Sequence, residues 1–187
     1  MHAYLYHKLV SGRLGEFIVE THRGDRTILV HLEYPTLNAY PGPRGKAKRG
    51  HFDLAIIDPD HAPESDWRLT SKKPQYATHK PKVAVEFGLN EIGTPRFELE
   101  HFNKDFDRLT DPKNAVERGY LLFFLREEDF RGSRKFPMIN ELPVKLEEEF
   151  QKHGKRANNL AIVFVNSRIG GSAFEKVIPE DKSHWIT

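Results

Sequence analysis

Phe52-Asp53-Leu54-Ala55-Ile56-Ile57 and Val83-Ala84-Val85-Glu86-Phe87 are the two runs whose reading decides the fold. Both are short and apolar, and both read as strands. Each also carries one carboxylate, which is costly in a buried run unless something neutralises it. Side chains alternate along a strand, so Asp53 shares a face with His51 and Ala55, and Glu86 shares one with Ala84 and Gly88. Neighbouring strands lie about 4.8 Å apart, close enough for the two acids to sit side by side if these strands pair. Two carboxylates at that range repel unless a cation stands between them. Mg²⁺ suits the position, because it takes carboxylate and water oxygens, and Mn²⁺ is the alternative ion.

Upstream, Tyr4, Leu5, Lys8 and Leu9 fall at helical spacing, while Gly12 and Gly15 weaken a helix. Two readings follow. One helix runs on to about Glu20, or a short helix ends near Gly12 and residues 15–21 form a strand. In the second, His22-Arg23-Gly24-Asp25 is a hairpin turn and residues 27–34 the return. The continuous helix is favoured. Thr27 to Tyr34 is β-branched, apolar and expected to stop at Pro35, with residues 35–50 as a Pro- and Gly-rich loop. Residues 60–80 read as a polar excursion.

Downstream, Thr94-Pro95 is a good helix start. Leu99, Phe102, Phe106 and Leu109 follow as a core stripe, with His101, Lys104, Asp105 and Arg108 on the wet side. Asp111-Pro112 ends that helix. Tyr120 to Leu125 reads as a strand buried on both faces. A helix over 144–153 is closed by Gly154, a last strand covers 160–165, and the tail from Gly170 is expected to be irregular. Helices alternating with late strands predict an α/β fold, a central mixed sheet flanked by helices.

The chain has 187 residues, most simply one domain, and no cysteine, so disulfides, cysteine zinc sites and cysteine nucleophiles are excluded. Its 29 basic and 27 acidic residues leave a net charge of +2, which does not by itself announce nucleic acid. No run approaches a membrane span and the first residues lack a signal peptide's apolar core, so a cytoplasmic protein without membrane contact is expected. The ten histidines form neither a His-Glu-x-x-His motif nor an i, i+4 pair, which argues against zinc.

An acid in the context Arg49-Gly50-His51-Phe52-Asp53-Leu54, a loop, then Val83-Ala84-Val85-Glu86, then a helix carrying Lys104-Asp105-Phe106-Asp107-Arg108-Leu109 resembles the PD-(D/E)XK nuclease superfamily. The resemblance implies a restriction-endonuclease-like αβββαβ core over about 1–125, with an added helix and strand over about 126–187. It implies Asp53 and Glu86 as metal and catalytic carboxylates, and Glu33 or Glu16 as an accessory acid. The expected reaction is hydrolysis of a phosphodiester, DNA foremost, by a metal-activated water. The pattern departs at one place. A lysine is wanted two residues after the second acid, and Gly88 stands there. Lys104 on the following helix is the expected substitute; Lys82 lies roughly 13 Å along the strand from Glu86, and Asn90 offers no charge. An inactive relative that binds nucleic acid or a protein partner is the competing expectation, and a homodimer or larger complex is compatible with either.

Arg44, Lys46, Lys48 and Arg49 place four bases just before Asp53. They read either as phosphate contacts, together with His51 and Arg108, or as an ordinary solvated loop. Tyr34, Tyr40 and Trp67 could stack on bases, but packing is the favoured reading. Pro59-Asp60, a literal Pro-Asp, falls past its strand in a turn and ranks below Asp53.

Overall fold

The computed structural model describes residues 2–20, 26–41, 46–60, 80–89, 95–126, 138–168 and 171–179. The chain is an α/β protein with a mixed sheet and flanking helices. It divides into two compact units: Met1–Val85 with Asp111–Arg118, and Glu86–Thr110 with Gly119–Thr187.

The first unit opens with α1 (His2–Val10) and a single further turn, α2 (Arg13–Glu16). The continuous helix favoured from sequence does not form. A Cβ at Gly15 would lie 1.7 Å from the Val10 carbonyl oxygen, so the chain folds back on α1 at a point only glycine permits. A hairpin follows instead, with β1 (Ile18–Glu20) antiparallel to β2 (Arg26–Ile28) and Ile18 opposite Ile28.

The second difference lies in β3 (Val30–Pro41), which runs straight through Pro35 rather than stopping there. It pairs antiparallel with β4 (Ala47–Ile57), and β4 pairs antiparallel with β5 (Pro81–Leu89). β3 is an edge strand, where a proline's missing N–H removes no ladder bond. The β3–β4 register shifts between Pro35 and Ala39. Thr36, fully buried, closes that irregularity: its hydroxyl donates to the Asn38 carbonyl at 2.7 Å and accepts the Gly50 amide at 3.0 Å. Phe52, Leu54 and Ile57 of β4 and Ala84 of β5 are buried. Residues 61–79, most of the polar excursion, lie outside the described residues.

The second unit takes the end of β5 and adds α3 (Pro95–Thr110), β6 (Arg118–Arg126), α4 (Met138–Lys152), β7 (Leu160–Arg168) and β8 (Gly171–Ile178). β6 and β7 run parallel, with Leu121 opposite Ile162. Every residue from Leu160 to Val165 is buried, as a parallel strand covered on both faces requires. β8 pairs antiparallel with β7 and corrects the expected irregular tail. Its sequence, Gly171-Ser172-Ala173-Phe174-Glu175-Lys176-Val177-Ile178, is too mixed to announce a strand. Pairing with the edge of β7 supplies the backbone bonds that its side chains do not predict. Phe102, Phe106 and Leu109 of α3 are buried as the stripe predicts. The Phe106 ring stacks on His153 at 3.8 Å and meets Phe150 edge-on at 6.3 Å, which joins α3 to α4. Among the described residues no helix is long and apolar enough to cross a membrane.

Candidate functional site

In the first unit, the β3–β4 ladder sets Leu32 opposite Leu54, Tyr34 opposite Phe52, and Pro35 opposite His51. Glu33 and Asp53 are the residues between the first two pairs. Asp53 is half-buried, as is His51, and Ala55 beyond them is fully buried, a gradient that runs along one face of β4. Glu33 is exposed and holds φ at +49°, in the left-handed region. For a residue with a Cβ that conformation costs roughly 1–2 kcal/mol, and the β3–β4 register is the same on either side of it. Glu16, the alternative accessory acid, is an exposed residue of α2.

β4 and β5 pair with Leu54 opposite Val85 and Ala55 opposite Ala84. Asp53 directly precedes Leu54 in the chain, and Glu86 directly follows Val85.

In the second unit, Glu86 is 1% exposed. Its Oε1 lies 3.2 Å from Nε of Arg108 on α3. A terminal nitrogen of the same guanidinium pairs with the Asp105 carboxylate one turn back. One arginine thus stands between two acids, the first on a strand and the second on its own helix. Sequence spacing puts Arg108 and Asp105 together on the polar side of α3, and the structure turns that side toward Glu86. Arg108, expected to contact nucleic acid, is engaged there. Lys104, the expected substitute for the missing lysine, is exposed.

At Gly88, where the resemblance expects a lysine, there is no room for a side chain. A Cβ at this position would lie 2.2 Å from the Phe123 ring. Phe123 is 3% exposed and stacks on Phe164 at 5.7 Å. The face of β5 that carries Glu86 is filled two residues further on by an aromatic ring of β6, and no side chain fits there unless the ring moves.

The remaining expected contacts divide. Lys46 is exposed; Lys48 and Arg49 belong to β4, opposite Tyr40 and Ala39, with side chains outside the described residues, as are Arg44, Asn90 and Trp67. Tyr34 is buried, which drives its hydroxyl pKa well above the usual value. Tyr40 is engaged in a polar knot that sequence reading missed. Its hydroxyl donates to Asp111 Oδ2 at 3.1 Å and accepts from Asn114 Nδ2 at 2.6 Å. Asn38 donates to Asp111 Oδ2 at 2.7 Å and, from its backbone, to Asn114 Oδ1 at 2.9 Å. Asp111 also caps the short 3-10 turn Pro112–Asn114 by accepting the Lys113 amide. Burial works to raise the Asp111 carboxyl pKa, and these hydrogen bonds outweigh it and hold it below the ordinary range. The one local signal was Asp111-Pro112, read only as a helix stop. Pro59-Asp60 sits in an exposed turn, as expected.

Among the described residues no three His, Asp or Glu side chains gather in a group able to hold a metal ion. Searches against protein-family models, curated proteins and solved structures found no match to this chain.

Proposed function

We propose that the chain is a metal-dependent phosphodiesterase acting on nucleic acid, DNA in the first place. The observation that carries the reading is Glu86: a strand carboxylate, 1% exposed, kept beside a cationic group at 3.2 Å. The guanidinium supplies the compensating charge that a carboxylate buried to this degree requires, as a bound cation would. The donor set fits Mg²⁺ better than an ion that wants a full protein cage. Mg²⁺ is commonly held by one or two carboxylates, with waters and substrate phosphate completing the shell. Glu86 would be one such carboxylate, and the resemblance names Asp53 and Glu33 as the further acids. Once bound, such an ion polarises the phosphodiester and lowers the pKa of an attacking water.

Arg108 takes the place that the resemblance gives to a lysine. A guanidinium does not give up its proton at any working pH, so it serves to orient and to neutralise developing phosphate charge, not as a base. Arg44, Lys46, Lys48 and Arg49 would carry the backbone contacts, each adding salt-dependent affinity, with His51 beside Asp53 on the same face of β4.

A second reading is a nuclease-like module that binds nucleic acid or a protein partner without cutting. Two observations favour it. Phe123 fills the space at Gly88, and Arg108 already neutralises Glu86. Digestion of supercoiled plasmid and of labelled single- and double-stranded oligonucleotides in Mg²⁺ or Mn²⁺ separates the two. Cutting by the wild type that Asp53→Ala and Glu86→Gln both abolish supports the enzyme. Binding without cutting in either metal supports the module.

A further inference from the structure

We propose that Arg108 is a displaceable internal counter-ion, which occupies the cation position at Glu86 until a divalent metal takes it and then withdraws onto Asp105. This rests on the reading of Glu86 as a metal ligand and adds how the site is kept when empty.

The argument starts from the cost of a bare acid. A carboxylate as buried as Glu86 needs a compensating charge, and the guanidinium of Arg108 supplies it at 3.2 Å. A dication at the same carboxylate would face that guanidinium as a like charge, so the two compete for one position. Arg108 is built to yield. Its side chain is 24% exposed, against 2% for Glu86, so its far end reaches solvent. Its long apolar stem lets the charged head move while the stem stays packed. It also has somewhere to go. Asp105 lies three residues back on the same helix, 13% exposed, and is already paired with a terminal nitrogen of the guanidinium. Metal entry therefore breaks the contact with Glu86 and leaves the contact with Asp105 as the resting place of the charge. A lysine beside the acid on the strand would have no such second partner on its own element.

The test is Mn²⁺ binding by the metal-free full chain, read by isothermal titration calorimetry and by loss of the free Mn²⁺ electron-spin-resonance signal, with no turnover involved. Arg108→Gln removes the competitor. Its Mn²⁺ affinity is expected to rise on the order of tenfold, the lower part of what one nearby charge is worth at a protein surface. Asp105→Asn leaves the Glu86–Arg108 pair in place but removes the resting place, and Mn²⁺ affinity is expected to fall several-fold. That variant keeps the question open to refutation even if Arg108→Gln does not fold. Unchanged or weaker Mn²⁺ binding by a folded Arg108→Gln, or unchanged binding by Asp105→Asn, overturns the proposal. If wild-type binding is lost in Glu86→Gln but indifferent to Arg108 and Asp105, the counter-ion idea falls and the metal site stands. If wild-type protein binds no Mn²⁺ at millimolar concentration, both fall together.

Discussion

Breaking the Glu86–Arg108 pair from one side should cost far more than removing it from both. At the observed 3.2 Å, unit charges attract by about 5 kcal/mol at an effective dielectric of 20, and by about 1.3 kcal/mol in bulk water. Glu86 lies at the dry limit and the Arg108 side chain is 24% exposed, so a coupling of about 2–3 kcal/mol between these bounds is expected. Arg108→Met strands a buried carboxylate and should destabilise by about 3 kcal/mol or more, as broken buried pairs do. Glu86→Gln keeps shape and hydrogen-bonding capacity and should cost less. The double variant should then be more stable than the sum of the two predicts, by the coupling. Urea denaturation followed by far-UV circular dichroism, on wild type, both singles and the double, gives that number directly. The cycle is interpretable only if the slope of unfolding free energy against urea is unchanged. A coupling under about 0.5 kcal/mol, the level of an exposed pair, would refute the claim that this contact neutralises a buried acid. The Arg108–Asp105 cycle gives an internal comparison. That pair is an i, i+3 contact nearer solvent and should couple by about 0.3–0.5 kcal/mol.

Gly88→Lys should destabilise by about 1–3 kcal/mol through forced overpacking against Phe123, seen as a lower Tm. Asp111→Ala leaves Asn38, Tyr40 and the Lys113 amide without their shared acceptor and should cost about 1 kcal/mol for each bond lost from a half-buried network, measured by urea denaturation. Because the folded Asp111 carboxyl is held below its ordinary range, the stability it contributes is present above about pH 4 and is lost as pH falls through the folded value, and Asp111→Asn should flatten that acid limb. Burial opposes protonation of His31 and outweighs its backbone hydrogen bond near Ile28, so its pKa lies below the ordinary value. Its contribution is therefore fully present above about pH 6.5 and declines as pH drops toward the folded pKa, and His31→Gln should be less sensitive than wild type between pH 7 and 5.

What could be read from the sequence was whatever the core dictates. Phe52–Ile57, Val83–Phe87, Tyr120–Leu125 and Leu160–Val165 all lie within strands, because a strand in the core leaves an apolar run that no other element explains as well. Burial is continuous over Leu160–Val165, whereas Asp53, Ile56, Val83, Tyr120 and Leu122 are half-buried. The Phe102, Phe106 and Leu109 stripe of α3 is legible for the same reason. The failures share a cause too. β8 and the outer half of β3 are edge elements, held by backbone pairing that leaves little mark on side-chain pattern. The break after α1 depends on Gly15 against the Val10 carbonyl, a backbone contact with no periodicity. The knot of Asn38, Tyr40, Asp111 and Asn114 joins residues more than seventy positions apart, beyond the reach of local spacing. At the candidate site, Glu86 was legible as a costly buried acid. That Arg108 and not Lys104 answers it was not, because both fall on the polar side of one helix and only packing decides which turn meets the sheet.

The crowded Gly88 and the arginine at Glu86 belong to one arrangement. Positions 86 and 88 of β5 share a face, so what fills the space at 88 shapes the same face that carries Glu86. With Phe123 there, stacked on Phe164 and buried, the face beside the acid becomes less polar, and an unpaired carboxylate becomes harder to keep. A cation must then arrive from outside the strand, and the helix that follows β5 is the element that brings one. Arginine suits that task better than lysine. Its planar fork can address two acids at once, and its charge is more weakly hydrated and so less costly to half-bury. Arg108→Lys should therefore be no conservative change. An ammonium is a single point charge, and reaching Glu86 means giving up Asp105. The variant should lose stability relative to wild type while keeping net charge, and Asp105→Asn added to it should cost almost nothing further. If Asp105→Asn instead weakens the Lys variant as much as it weakens wild type, the sharing of one guanidinium between the two acids is not what holds Glu86 in place.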